Sequence, residues 1–140
     1  MATIWQLIER RAGETPDDVM LIDESDRRVT FGEFRDQAAA LAAGLAGAGI
    51  GSESRVTWQL PSSIDAAITM AALSRLDAVQ CPVLHLYRKK ELGFVLKHTG
   101  AEYCIVPGEW KGFDYTAMAD ELAADLDPSP VVLTLGSLPT

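Results

Sequence analysis

RVTWQLPSSIDAAITMAALSRLDAVQCPVL, residues 55–84, decides the fold. Arg55–Leu60 alternates apolar Val56, Trp58 and Leu60 with polar residues, the period-two pattern of a strand. Pro61-Ser62-Ser63 then opens a helix with Ile64, Ala67, Ile68 and Ala71 on its buried face, and Ala78–Leu84 reads as a second strand. Downstream the alternation continues. Lys90–His98 is a helix stopped by Gly100, Tyr103–Val106 a strand, Asp114 caps a helix carrying Met118, Leu122 and Leu126, and Val131–Leu135 is a last strand. Strands alternating with helices imply right-handed crossovers and a mostly parallel sheet with helices on both faces, hence the α/β class. Ligands of such sheets bind beyond the carboxyl ends of the strands. Those ends are Gln59–Ser63, Leu84–Arg88 and Pro107–Lys111.

Upstream, Thr3-Ile4-Trp5-Gln6 reads as a capping box, followed by Ile4, Leu7 and Ile8 on one helical face and by Gly13 as a stop. Val19–Asp23 and Arg27–Thr30 are short strands around the turn Glu24-Ser25-Asp26. Thr30-Phe31-Gly32-Glu33 is a second capping box. Phe34, Ala38, Leu41, Leu45 and Ala48 then fall at helical spacing until Gly47, Gly49 and Gly51 fray the helix. No repeat or composition shift divides the chain, so residues 1–140 are expected to form one domain.

Composition narrows the function classes. The net charge of −8 argues against a nucleic-acid or anionic-membrane surface, which needs a basic field. No apolar run approaches the ~20 residues that span a bilayer. The first residues hold no basic segment followed by an apolar one, so no secretory signal is expected and the cytoplasm is the expected compartment. Cys81 and Cys104, the two cysteines, are expected as buried thiols in a reducing environment. They and His85 and His98 lack the close spacing of a metal site.

Several catalytic signatures are absent. The chain contains no Gly-Lys pair, and so no G-x-x-x-x-G-K-[ST] loop, and no G-x-G-x-x-G. Gly44, Gly47, Gly49 and Gly51 follow a helix, whereas a phosphate loop follows a strand and opens a helix. There is no G-x-S-x-G elbow, and His85 and His98 are expected on a loop and on an exposed helix face rather than as bases. The run Arg88-Lys89-Lys90-Glu91 is the main basic cluster. It reads as a solvated helix start, or alternatively as a phosphate contact at the sheet edge.

Six segments in register resemble one family. Arg28-Val29-Thr30-Phe31-Gly32-Glu33-Phe34 is similar to the (L/V)-T-(Y/F)-x-E-(L/F) segment of acyl-CoA synthetases, luciferases and peptide-synthetase adenylation domains. The helix ending at Gly49-Ile50-Gly51 resembles its "L…GV..GD" stretch, and Arg55–Ser62 its "RV…LPN". Ala71–Val83 resembles "A..R.GAV..P(L/V)", Arg88–Leu92 "R..EL", and Thr99-Gly100-Ala101 with Tyr103–Val106 "(T/S)GA…(I/V)V". The stretch from Val106 to Tyr115, with its Gly-Phe-Asp-Tyr end, looks like the branch that activates alicyclic and aryl acids. Asp77 stands where that family usually has Gly, a position that favours positive φ.

The resemblance implies the N-terminal part of the large domain of an ATP-dependent acid–CoA ligase. Its carboxylic acid substrate would become an acyl-adenylate and then a CoA thioester, with ATP, Mg²⁺ and CoA serving the parent enzyme. The family's Ser/Thr/Gly-rich loop ending in Lys, its ribose-binding acid and its C-terminal Lys have no counterpart before Thr140. No catalytic residue is therefore assigned, none of these cofactors is expected to bind the fragment tightly, and the fragment is expected to be inactive. By position in "R..EL", Arg88 is the candidate contact to the CoA nucleotide, ahead of Lys89 and Lys90. Truncation would expose apolar surface through which the fragment self-associates. The alternative is a stand-alone flavodoxin-like binding module without catalysis.

Overall fold

The computed structural model describes residues 1–138. The chain forms two compact units, one of residues 1–51 and 62–77 and one of residues 52–61 and 78–138.

The first unit holds α1 (Ile4–Glu14), β1 (Val19–Ile22), β2 (Arg28–Thr30), α2 (Phe31–Gly47) and α3 (Ile64–Arg75). Both expected capping boxes form. The Thr3 hydroxyl accepts from Gln6 N at 3.1 Å while Gln6 Oε1 accepts from Thr3 N at 2.9 Å, and Thr30 and Glu33 repeat the exchange at 3.1 and 3.0 Å. Gly13 does not stop α1, which runs on to Glu14 and closes at Thr15. A helical glycine costs only about 1 kcal/mol, and the stop needs a left-handed residue that is not present here. The buried stripe of α1 is also rotated from the expected one: Trp5 and Ala12 are buried and Ile8 half-buried, while Ile4 and Leu7 face solvent. Trp5 carries the largest apolar surface of the turn, roughly 150–250 Å², and its ring also takes the Arg75 guanidinium at 4.8 Å.

β1 and β2 form an antiparallel hairpin whose turn is pinned by the Asp23 carboxylate, which accepts from Ser25 N and Arg27 N, each at 2.9 Å. α1, α2 and α3 pack on one another. Phe34, Ala38, Leu41 and Leu45 of α2 are buried, as the spacing predicts, whereas Ala48, expected on the same stripe, is exposed because the helix already stops at Gly47. α3 buries more than its expected stripe, adding Ala66, Thr69, Ala72 and Leu73, whereas Ala67 is only half-buried. The glycines after α2 serve its end: the helix stops at Gly47, and Gly49 turns the chain at φ 107°. Asp77, after α3, adopts φ 56°, the left-handed conformation that the resemblance to a glycine position predicts.

The second unit holds a four-stranded parallel sheet in the order β4-β3-β5-β8, from β3 (Arg55–Trp58), β4 (Val79–Pro82), β5 (Tyr103–Val106) and β8 (Val131–Thr134). β3 and β4 are each shorter than expected, and Leu135 belongs to a 3-10 turn rather than to β8. Pro82 sits on an edge strand, where its missing N–H costs the ladder little. Residues on both faces of β5 are wholly buried, Cys104 and Val106 on one and Ile105 on the other, the pattern of a sheet covered on both sides. On the first face lie α4 (Lys89–Thr99) and α5 (Tyr115–Ala124), which contribute Leu92, Leu96, Tyr115, Met118 and Ala119 to the core. Gly100 stops α4 in the left-handed region at φ 61°, as expected. α5 ends before Leu126, which nonetheless packs against the same core.

The sequence reading did not anticipate the small hairpin of β6 (Glu109–Trp110) and β7 (Phe113–Asp114). Its two turn residues, Lys111 and Gly112, both have positive φ (48° and 77°), as a tight primed turn requires. Lys-Gly is a weak signal for such a turn beside Asn-Gly or Asp-Gly.

Candidate functional site

The carboxyl edge of the sheet is organised by one buried side chain. Gln59 follows β3, has no exposed surface, and donates from Nε2 to the carbonyls of Leu84 and Tyr87, each at 2.9 Å. Those carbonyls belong to the loop that leaves β4, itself turned by Tyr87 N donating to Leu84 O at 3.1 Å. Gln59 Oε1 meets no hydrogen-bond donor among the described residues.

Arg88 closes the same loop from the start of α4. Its Nη1 donates to His85 O at 2.9 Å and to Tyr87 O at 3.1 Å, with a longer contact of 3.5 Å to Tyr115 Oη. The guanidinium carbon lies 3.9 Å above the centre of the Phe113 ring and 5.3 Å from that of Tyr115. Tyr115 Oη donates to His85 O at 2.8 Å. The His85 ring stands edge-on to Trp110 at 5.0 Å, and Phe113 meets Tyr115 in the same manner at 4.9 Å. The "GFDY" stretch thus supplies both aromatic rings that receive the arginine.

The other members of the basic run are placed differently. Lys89 pairs with Glu121 at 2.7 Å, an exposed ion pair of the kind worth little in isolation. Lys90 is exposed. The Glu91 carboxylate caps α4 by accepting from Arg88 N at 3.2 Å, and hydrogen bonds from its own backbone N–H and that of Arg88 hold its pKa below the ordinary carboxylate range. His98 lies on an exposed face of α4, stacked on Phe94 at 5.2 Å, and His85 is on the loop, so both occupy the expected settings. Cys104 is buried as expected, but Cys81 is only half-buried because its strand is at the sheet edge. Burial, and then the Asp120 carboxylate, push the Cys104 thiol up to about 12. Among the described residues no three His, Cys, Asp or Glu side chains converge to hold a metal ion.

What sequence reasoning missed here is Gln59, Phe113 and Tyr115 as the partners of the loop. Gln59 stood at a strand end and Phe113 and Tyr115 in the Gly-Phe-Asp-Tyr stretch, but neither signal says which carbonyls or which guanidinium they meet without the fold.

Comparison with known proteins gives this edge its context. Residues 8–138 match the family model described as "AMP-binding enzyme". A 2-hydroxy-7-methoxy-5-methyl-1-naphthoate–CoA ligase of Streptomyces carzinostaticus is 32% identical over 126 residues, covering 90% of this chain and 22% of that protein. A salicyl-AMP ligase / salicyl-S-ArCP synthetase of Mycobacterium tuberculosis is 33% identical over 127 residues, covering 88% and 22%. Among solved structures, an artificially fused adenylation–PCP di-domain, NpsA-ThdA from Klebsiella oxytoca, superposes with a TM-score of 0.83 at 26% identity, over 98% of this chain and 23% of that one. This chain therefore spans about a fifth of the length of the curated relatives it matches. With a family match across nearly all of its residues, and with the fold of adenylation domains, the chain belongs to the AMP-binding, adenylate-forming enzyme family.

Proposed function

We propose that this chain is the N-terminal part of an ATP-dependent acid–CoA ligase acting on a ring-bearing carboxylic acid. The carboxylate oxygen attacks the α-phosphorus of ATP and expels pyrophosphate, giving an acyl-adenylate. The CoA sulfur then attacks the acyl carbon, expels AMP and releases its proton. The observation that carries the reading is the family match over residues 8–138, joined to relatives whose names specify aryl acids. Two of those named relatives differ in the final acceptor. The naphthoate relative is named as a CoA ligase, and the salicyl relative as also loading a carrier protein. A carrier-protein thiol is therefore the second reading.

In the proposed enzyme the groups that stabilise charge on the transferring phosphate lie beyond Thr140, so the 140-residue chain alone is expected to release no pyrophosphate. Arg88 is proposed to lie beside the CoA nucleotide. In support, it is exposed at the carboxyl edge of the sheet, with its guanidinium plane fixed over Phe113. The test extends the reading frame past Thr140 and assays the full-length protein with a panel of aryl, alicyclic and fatty acids. Acid-dependent pyrophosphate release followed by CoA-dependent AMP release is expected. Adenylate formation with AMP release only on a carrier protein would select the second reading. No pyrophosphate with any acid would sink both. For Arg88→Ala, a raised KM for CoA with an unchanged KM for the acid is expected, and an unchanged KM for CoA removes the Arg88 assignment.

A further inference from the structure

Lys90, Phe94, Lys97 and His98 fall at helical spacing along one side of α4, while Leu92 and Leu96 on the opposite side enter the core. Phe94 is 66% exposed, and the three basic residues are exposed as well. The Phe94 ring stacks on that of His98 at 5.2 Å, the planes only 11° apart. Together with Lys97 the two rings line an open groove of about 460 Å³.

Charge sets this groove apart. The chain carries a net charge of −8, and its ion pairs engage Arg27, Arg28, Arg35, Arg55, Arg75 and Lys89. Among the described residues Lys90 and Lys97 form none. Glu91, beside Lys90, turns its carboxylate back to Arg88 N at 3.2 Å. Asp127 shares a neighbouring cleft with Lys97 but lies outside ion-pair distance of it. The negative end of the helix dipole accounts for Lys97 and His98 in the last turn. It cannot account for Lys90 in the first turn, where a cation is unfavourable. An exposed aromatic ring with an unpaired ammonium on either side along the helix has the make-up of an interface anchor.

We propose that this face of α4 docks an acidic helix of a separate protein, which lays an apolar side chain on Phe94 and sets carboxylates against Lys90 and Lys97. The spacing defines the ligand. Seven residues at about 1.5 Å each separate the two lysines by roughly 10 Å. Two acids seven positions apart on a helix, with an apolar residue between them, match that span. A second copy does not fit, because two chains meeting through this face would set cation against cation whichever way the helices run.

The probe is a dye-labelled helical peptide of about 18 residues, with two Glu seven positions apart, a Leu between them and neutral helix formers elsewhere. Fluorescence anisotropy follows its titration with the 140-residue chain. Binding that weakens with salt is expected. Phe94→Ala should weaken it about tenfold. Lys90→Glu combined with Lys97→Glu should abolish it, and a peptide with Lys in place of both Glu should bind that double variant but not the parent chain. No binding to the parent chain overturns the proposal. So does equal binding of a peptide of the same composition with its Glu and Leu positions scrambled, or indifference to Phe94→Ala. Sedimentation equilibrium of the chain alone adds a further check: a dimer that Phe94→Ala dissociates would give the face to a second copy and overturn the proposal. Neither acid nor ATP enters these assays, so their outcome is independent of the ligase reading.

Discussion

Replacing Gln59 by Glu should be far more damaging than replacing it by Leu, although Glu is the closer match in shape. The Gln59 amide donates two hydrogen bonds of 2.9 Å from a site with no exposed surface. In Gln59→Glu the donating Nε2 becomes a single oxygen that faces both carbonyls. Each lost bond is worth about 0.5–1.5 kcal/mol net, and an uncompensated buried charge brings the total to about 3–5 kcal/mol. Gln59→Leu loses the same two bonds but orphans neither carbonyl. Leu84 O keeps Tyr87 N at 3.1 Å, and Tyr87 O keeps Arg88 Nη1 at 3.1 Å. Leu also removes Oε1, which has no donor, so its cost should be about 1–2 kcal/mol. The sign of the pH dependence is a second check. Burial raises the folded-state pKa of the new Glu, so its penalty is small below the unfolded value of about 4.3 and grows as pH rises through it. Urea denaturation followed by circular dichroism at pH 7.5 and pH 4 measures both. Equal losses for Glu and Leu, or a Glu loss that does not change with pH, would refute the reasoning.

Cys104 should resist thiol reagents in the native chain while Cys81 reacts, so a disulfide reagent at pH 8 titrates one thiol per chain, and both in urea. Because the Cys104 pKa is raised to about 12 in the fold, its contribution is complete below the unfolded value of about 8.5 and is lost as pH climbs toward 12; Cys104→Val should remove that slope from the stability profile. Gly100→Ala should cost about 1–2 kcal/mol in a thermal melt purely through its φ of 61°, since a Cβ would meet nothing nearer than Arg55 Nε at 3.5 Å, and Gly100→Asn should recover part of the loss. The lowered pKa of Glu91 makes its capping contribution present above the unfolded value and lost as pH falls through the folded one. The midpoint difference between the parent and Glu91→Ala should therefore be larger at pH 7 and shrink as the pH is lowered into the acid range.

The fold was legible because its signals are local. Thr3, Thr30 and Asp114 announce helices through hydroxyls and a carboxylate that need only the next turn's N–H groups. The alternation in Arg55–Leu60 and the short apolar runs Cys104-Ile105-Val106 and Val131-Val132-Leu133 have the pattern and length of strands. Errors arose where the decision was tertiary. Ile4, Leu7 and Ile8 satisfy helical spacing as well as Trp5, Ile8 and Ala12 do, and only the packing of α1 with α2 and α3 selects the second set. The 109–114 hairpin is two residues per strand, too short for any periodicity, and rests on Lys111 and Gly112 at positive φ.

The site was less legible, because its partners are backbone carbonyls whose directions exist only once the loop is folded. Arg88 shows the consequence. In sequence it is one cation among three, open to a solvated reading or to a phosphate contact. In the structure it differs from Lys89 and Lys90 because a planar guanidinium can stack on Phe113 while one nitrogen donates to two carbonyls. An ammonium has no plane to stack and no rigid fork, so charge alone cannot replace it. Arg88→Lys in the 140-residue chain should therefore loosen the loop almost as much as Arg88→Ala. Hydrogen exchange at Tyr87 N, which closes the turn onto Leu84 O, reads this directly. Exchange that stays slow in Arg88→Lys and quickens only in Arg88→Ala would show that charge, and not the stacked plane, holds the loop.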